Sequence, residues 1–272
     1  MAAAGRLLAD FARCDGDLHE HNQWPDLRAG LVAPSPRVGQ RSAVNLTSQI
    51  PLQVKLRPYA SFASFIPGRN QAAVRHVEAI ASGQRSEAAW IHGRASTGKS
   101  HLLNAACRAA GEANLRTIYL ALNPEHSPEI LTQLDGIDVI ALDDIHSVAA
   151  APAWEEVLFS VFDRRLQAGG LIVAADLPPH ECGFALADLV SRAAAAAVYR
   201  LEYLDDQDLE RALILQAELR GLSLDQNCAA YLLQRLSRDL RELTAGLDRI
   251  DHFALSAKRK ITIPLLREAM RL

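Results

Sequence analysis

One stretch decides the fold of this chain: GRASTGKS, from Gly93 to Ser100, which fits the pattern G-x-x-x-x-G-K-[ST] at every fixed position. A short apolar run, Ala88 to Ile91, precedes it and predicts a buried strand. A Leu- and Ala-rich segment with helical spacing, His101 to Ala110, follows it. A strand that enters a helix through glycines points backbone N–H groups and the positive end of the helix dipole at one place. This stretch, the phosphate loop, therefore predicts a binding site for a nucleoside diphosphate or triphosphate.

Two side chains of the phosphate loop have predicted roles: Lys99 can bridge the outer phosphates, and the hydroxyl of Ser100 can complete a Mg²⁺ shell. Such a site also needs an acid at the end of a buried strand, and the run VIALDD, Val139 to Asp144, has this form. Asp143 is predicted to hold the metal, and Asp144 to lie nearer the attacking water. The alternative is a solvated pair of acids at a strand end, which is common in α/β proteins.

Further polar side chains are candidates for contact with the γ-phosphate. Asp176 ends the next strand, where it either touches the reacting water or forms a turn before Pro178. Arg192, followed by five alanines, either reaches a phosphate on a neighbouring subunit or is solvated surface. Four arginines lie in or near the third lid helix, and periodicity does not choose which of them faces the phosphate loop: Arg235, Arg238, Arg241 and Arg249.

The composition is that of an ordinary globular protein, with 49% hydrophobic and 22% charged residues in 272. A net charge of −3 argues against a protein that mainly coats DNA or an anionic membrane. No apolar run approaches the roughly 18–20 residues that span a bilayer, so no membrane partner is expected. The cysteines are scattered without metal-ligand spacing and are predicted to be reduced core thiols of a cytosolic protein: Cys14, Cys107, Cys182 and Cys228.

Apolar strands alternate with helices up to about residue 201, and the pattern then becomes purely helical. This order predicts an α/β fold in which helices sandwich a parallel sheet, followed by a small all-α lid domain. The predicted strands are 88–91, 117–121, 138–142, 171–175 and about 198–201, and the predicted lid helices are 206–220, 225–237, 239–256 and 264–271. The predicted divisions are an N-terminal extension over 1–48, an extended peptide over 49–57, a nucleotide-binding domain over 58–203 and the lid over 204–272.

The N-terminal region has a different character. Residues 1–48 show no sustained periodicity and are expected to be mostly disordered; an alternative is that the natural start lies further downstream. From Gln49 to Leu56 apolar and polar residues alternate, but Pro51 argues against a central strand. This segment is either a linker or an exposed peptide whose apolar side chains enter a partner's groove.

These pieces, in this order, resemble an AAA+ ATPase module. The segments GKSHLL, from Gly98, and LDDI, from Leu142, resemble the DnaA clade of bacterial initiators and loaders. The match is closer to the Hda family of DnaA-related regulatory inactivators, over about 49–272. Further stretches that resemble family signatures are Phe62–Phe65, Pro67–Asn70, Leu189–Arg192 and Lys258–Pro264, and Gln49–Val54 resembles the family's sliding-clamp-binding peptide.

The resemblance implies a cytoplasmic regulator of replication initiation that docks on the DNA-loaded β sliding clamp and promotes hydrolysis of ATP bound to DnaA. It implies bound ADP or ATP with Mg²⁺, at most a weak ATPase activity of its own, and contact with DNA that is mainly indirect, through the clamp. The rival hypothesis is a DnaA-like ATPase that assembles into homo-oligomers and acts as an initiator or helicase loader. Direct DNA binding by the lid arginines is disfavoured by the interspersed acidic residues.

The resemblance also assigns roles residue by residue. Arg192 matches the arginine finger, which acts in trans; Asp176 matches the first sensor, and Arg241 the lid sensor arginine. The expected clamp contacts are Gln49, Ile50, Leu52 and Val54. The expected nucleotide contacts are Asn70, Gly93, Ser96, Thr97, Gly98, Lys99, Ser100 and His101.

Overall fold

The computed structural model describes residues 60–167, 169–236, 239–257 and 260–270. The predicted N-terminal extension, the clamp peptide with Gln49, Ile50, Leu52 and Val54, and the candidate Arg238 lie outside the described residues. The domain limits at 57/58 and 203/204 stay predictions.

Five parallel strands form one sheet in the order β2-β3-β4-β1-β5. The central strands are buried apolar runs because helices cover both faces of the sheet. The prediction of five strands is confirmed, with ends that shift by one residue at most. The strands are β1 (Ala88–His92), β2 (Thr117–Ala121), β3 (Val139–Asp143), β4 (Gly170–Ala175) and β5 (Ala197–Arg200).

Four α-helices cover the sheet: α1 (Gln71–Ala81), α2 (Lys99–Glu112), α3 (Pro152–Gln167) and α4 (Ala187–Ala194). Because successive strand residues point to opposite faces, each strand feeds two cores. In β1, Trp90 packs with residues of α3 and α4, whereas Ala89 and Ile91 pack with residues of α1 and α2. The helix that the sequence predicts after Ser127 is a short 3₁₀ helix, Pro128–Gln133, and its predicted cap is present.

The lid consists of α5 (Asp206–Glu218), α6 (Gln226–Arg235), α7 (Leu240–Ala257) and α8 (Ile263–Met270) around a hydrophobic core of its own. Asp205 and Asp225 cap α5 and α6 by accepting backbone N–H groups, which satisfies donors at the helix starts. Gly221 follows α5 with a φ of +73°, as its predicted role as a helix stop requires.

The described cysteines are core residues, as predicted. Burial raises the pKa of the thiols of Cys107, Cys182 and Cys228 to about 11, so they stay protonated and unreactive near neutral pH. Within the described part of the chain, no group of His, Cys, Asp and Glu side chains has the geometry of a metal site. None of the described helices is both long enough and apolar enough to cross a bilayer.

A buried carboxylate on α3 fixes the start of α4. Glu155 is 2% exposed and accepts the backbone N–H groups of Ala150 at 2.8 Å, Ala185 at 3.0 Å and Leu186 at 2.7 Å. In the Glu155→Gln variant the side-chain amide can accept fewer of these bonds and leaves a buried donor unpaired. We expect the free energy of unfolding of the α/β domain to fall by about 2 kcal/mol.

The measurement is denaturant unfolding followed by tryptophan fluorescence, because Trp90 and Trp154 are both buried in this domain. The matched control is Glu156→Gln, one residue along the same helix but at an exposed position. Equal unfolding midpoints for the two variants would contradict the assigned role of Glu155.

Candidate functional site

The phosphate loop needs glycine at two positions. Gly93, which follows β1, has a φ of +154°, and a Cβ there would lie 2.7 Å from the backbone oxygen of Leu201. Gly98 has a φ of +97°, immediately precedes α2, and would place a Cβ 2.9 Å from the ring of Phe65. Since both positions exclude a side chain, the backbone turns tightly and leads directly into the N-terminus of α2.

Lys99, the first residue of α2, is buried, and its ammonium group donates three hydrogen bonds. Two go to backbone oxygens of the loop, Gly93 at 2.6 Å and Arg94 at 3.1 Å, and the third goes to Asp176 Oδ1 at 3.0 Å. The other oxygen of Asp176 lies 3.3 Å from His146 Nε2. The neighbouring strands β1 and β4 thus bring together two predicted site residues. The turn after β3 adds His146, which sequence reasoning missed.

The acid pair at the end of β3 is divided between the interior and the surface. Asp143 is 1% exposed, and its carboxylate accepts the Tyr119 hydroxyl at 2.7 Å and the backbone N–H of Asp144 at 3.0 Å. Asp144 has a φ of +54°, in the left-handed region that aspartate tolerates better than most residues. Desolvation, and then the charge of Asp143, raise the pKa of Asp144, which makes it a better proton acceptor than an ordinary carboxylate.

A cavity of about 490 Å³ lies between the phosphate loop and the lid, large enough for a nucleotide. The loop and α2 line one wall with Ser96, Gly98, Lys99, Ser100 and His101. The lid lines the opposite wall with Gln216, Arg220, Arg241, Thr244 and Asp248.

The lid wall contains two arginines with different surroundings. Arg241 has an exposed side chain and starts a face of α7 that repeats at helical spacing through Thr244 and Asp248. Arg220, with a side chain only 8% exposed, donates to Asp248 Oδ1 at 2.8 Å and to the backbone oxygen of Gln216 at 2.7 Å. Sequence reasoning missed Arg220. The available signal in the sequence was its position four residues after Gln216, which lies on α5, because this spacing places the two side chains on one side.

The other lid arginines that the structure describes do not line this cavity. Arg235 stacks over the ring of Tyr231 at 5.3 Å, and Arg249 is exposed on α7. Of the three described candidates from the sequence, the structure therefore brings Arg241 to the phosphate loop. Its role as a sensor stays a prediction.

A hydrogen bond joins the phosphate loop to the lid. The hydroxyl of Ser96 donates to Asp239 Oδ1, which also accepts the backbone N–H of Arg241 at 2.7 Å. The Ser96 hydrogen bond is the main reason that the pKa of Asp239 lies below its usual value. Inside the loop, buried Thr97 donates to the backbone oxygen of Arg94 at 2.9 Å, so its hydroxyl stabilises the turn.

His101 and Asn70, which the family resemblance assigns to the nucleotide site, have different positions. The Nε2 of His101 lies 3.1 Å from Ser64 Oγ, and its ring packs edge-on against Phe65 at the margin of the cavity. Asn70 is buried, and its amide exchanges hydrogen bonds of 3.0 and 2.8 Å with the backbone of Glu202. The Asn70 side chain therefore joins two segments of the chain, and its predicted contact with nucleotide has no support from this geometry.

Arg192, near the end of α4, is not among the cavity residues. Its side chain is 49% exposed, and its Nη2 lies 2.9 Å from Asp163 Oδ1. An exposed arginine outside the cavity is accessible to a phosphate on another molecule. This placement is compatible with the predicted action in trans, which stays a prediction.

Comparison with known proteins bears on the family of this chain. The family model of the bacterial DnaA ATPase domain matches residues 56–196, more than half of the sequence. The chain belongs to this family. A second family model, that of the Hda lid domain, matches residues 205–270. The chain is therefore an Hda-like, DnaA-related AAA+ protein, as its motifs predict.

Solved structures share the fold. Domain III of the Thermotoga maritima initiator DnaA superposes with a TM-score of 0.68 at 19% identity, over 79% of this chain and 96% of that one. AMPPCP-bound DnaA from Aquifex aeolicus gives 0.61 at 22% identity, over 72% of this chain and 66% of that one. The T. maritima RuvB branch migration motor gives 0.59 at 20% identity, over 79% and 72%. Identities this low establish the fold alone, and they confirm the predicted α/β AAA+ architecture with a helical lid.

Proposed function

We propose that this protein is an adenine-nucleotide-binding regulator of replication initiation that, tethered to the DNA-loaded sliding clamp, promotes hydrolysis of ATP bound to DnaA. One observation carries the proposal: the chain joins a DnaA-type ATPase domain to a lid that matches Hda. In this scheme the protein acts on DnaA by contact, and DnaA and the clamp are its partners.

The cavity between the phosphate loop and the lid is the proposed site for ADP or ATP. Its size, the N-terminus of α2 and the charges of Lys99 and Arg241 suit a nucleotide with two or three phosphates. The DnaA of A. aeolicus, which has the same fold, binds AMPPCP. An incoming phosphate competes with Asp176 for the Lys99 ammonium, so Asp176 becomes able to orient water beside the γ-phosphate.

The oxygen donors near the loop fit Mg²⁺, which prefers hard oxygen ligands and keeps several of its waters. Ser100 offers its hydroxyl in the cavity wall, and Asp143 would hold the ion at the end of β3. Each oxygen of Asp143 accepts one hydrogen bond and keeps a second lone pair, which could face the ion or one of its waters. Bound Mg²⁺ would neutralise charge on the phosphate oxygens.

Two parts of the protein contact other proteins in this proposal. Arg192 extends its guanidinium to the ATP held by DnaA and stabilises the charge that develops during hydrolysis. The peptide with Gln49, Ile50, Leu52 and Val54 enters a groove of the clamp. The protein then contacts DNA only indirectly. In the cytoplasm it associates with the nucleoid because it is bound to the clamp.

The test measures hydrolysis of ATP on DnaA, with and without clamp loaded on DNA, in the presence of this protein. Stimulation that requires the loaded clamp is the expected result. The Gln49→Ala variant should lose most of it, and the matched control Gln53→Ala, in the same peptide but outside the expected contacts, should retain it. Full stimulation by Gln49→Ala would refute the clamp peptide, and no stimulation by the wild type would refute the function.

A second candidate function is a self-oligomerising DnaA-like ATPase that acts as an initiator or helicase loader. The match to the DnaA ATPase domain supports this second function as much as the first, because initiators carry the same domain. Size-exclusion chromatography separates the two candidates. ATP-dependent assemblies with ATP turnover by the protein alone favour the second function, whereas turnover only with DnaA and clamp favours the first.

A further inference from the structure

Two carboxylates on α3 contact the two ends of the helix that presents Arg192. Glu155 and Asp163 are eight residues apart, so they lie on the same side of α3 and about 12 Å from each other. The eight-residue helix α4 has about the same length. The spacing of the two acids on α3 therefore matches the length of α4.

The contacts at the two ends differ in kind. At the N-terminal end, buried Glu155 accepts the backbone N–H groups of Ala185 and Leu186, which fixes the start of α4. Within α4, Leu189 in the first turn and Ala193 in the last turn are fully buried against the sheet core. The backbone of α4 is therefore held on both sides of Arg192, whose own side chain is about half exposed.

At the C-terminal end, Asp163 contacts that side chain. Its Oδ1 lies 2.9 Å from Arg192 Nη2, while about half of the arginine side chain remains exposed. A guanidinium group has five N–H donors, so an ion pair through one nitrogen leaves the others available to a phosphate. An arginine that is already oriented loses less conformational freedom when it binds than one that is free to rotate.

We propose that Asp163 is a positioning residue, which holds the Arg192 guanidinium in one orientation at the surface of α4 for a phosphate on a neighbouring protein. This inference rests on the proposed function of Arg192. The opposite effect, in which Asp163 prevents Arg192 from binding the phosphate, requires a strong ion pair between the two side chains. An exposed ion pair contributes little to stability, and a triphosphate with Mg²⁺ offers more acceptors than one carboxylate.

The kinetic test uses the Asp163→Asn variant in the assay of DnaA-bound ATP hydrolysis. Removing the charge should lower the maximal stimulated rate by roughly three- to tenfold and leave the half-saturating concentration of this protein unchanged, because orientation matters in the transition state. Asp163→Glu should recover part of the rate. The matched control is Glu156→Gln on the same helix, which should behave as the wild type.

A mutant cycle separates positioning from a general effect on structure. In the Arg192→Ala background, Asp163→Asn should cause no further loss, since the carboxylate acts through the arginine. A further loss in that background, or a wild-type rate for the single variant, overturns the inference. A higher rate for Asp163→Asn also overturns it, because the pair then withholds the arginine.

A second readout does not depend on DnaA. ¹⁵N relaxation of the Arg192 Nε–H group, measured on this protein alone, should show restricted motion in the wild type and increased motion in Asp163→Asn. Equal mobility in the two proteins refutes positioning even if the stimulation assay gives no activity. Restricted motion in the wild type, together with no stimulation, refutes the proposed function and leaves the contact established.

Discussion

Replacing Arg192 with alanine should lower clamp-dependent hydrolysis of DnaA-bound ATP by about 10³-fold, or to the rate of DnaA alone if that limit is reached first. An arginine supplied in trans acts only on the charge of the transition state, so its loss lowers the rate without weakening assembly. The measurement is single-turnover hydrolysis of labelled ATP on DnaA, with clamp loaded on DNA. Binding of the variant to the loaded clamp should equal that of the wild type.

The matched control for this variant is Arg75→Ala, which removes an exposed arginine from α1 on the other side of the sheet. It should stimulate DnaA as the wild type does. A large loss in both variants would mean that net charge matters and the position does not. Full activity of Arg192→Ala would remove this residue from the mechanism while leaving the nucleotide site of the chain itself intact.

The second large effect is expected at Lys99. The Lys99→Ala variant should bind ADP and ATP at least about 100-fold more weakly, because it loses a charge-assisted contact with the outer phosphates in a partly enclosed cavity. Equilibrium binding of a fluorescent adenine nucleotide measures the change. Lys99→Arg keeps the charge and should retain part of the affinity.

The control for folding is important here, because the Lys99 ammonium also joins the phosphate loop to Asp176. Circular dichroism and the thermal midpoint of Lys99→Ala show whether the domain is still folded. The matched control Lys260→Ala removes an exposed lysine of the lid. If folded Lys99→Ala binds nucleotide as tightly as the wild type, the cavity at the phosphate loop is not the nucleotide site.

Much of the fold follows from local patterns. The three central strands are short and mostly apolar runs, and the phosphate loop is a fixed spacing of glycines, so the window of sequence that specifies each of them is short. The parallel direction of the strands follows from the alternation of strands and helices along the chain. The 3₁₀ form of the helix after Ser127 does not follow, because the cap and Pro128 suit either helix type.

The candidate site was predictable where a motif carries it and unpredictable where distant segments meet. Lys99 and Asp176 were both expected, but their direct contact spans 77 positions of sequence. The Ser96–Asp239 bond spans 143 positions and has no local signal. Asn70 shows the opposite case, in which a recognisable motif residue forms hydrogen bonds with the distant backbone of Glu202.

The bond between Ser96 and Asp239 attaches the start of α7 to the phosphate loop, and this attachment is insensitive to ordinary acidity. Because the pKa of Asp239 is lowered in the folded protein, its carboxylate stabilises the attachment above the usual carboxyl pKa. That stabilisation disappears only as the pH falls through the lowered pKa, far below neutrality. In the proposed function, phosphates bound at the loop would bring negative charge near the same carboxylate, so we expect bound nucleotide, rather than a proton, to weaken the attachment at the start of α7.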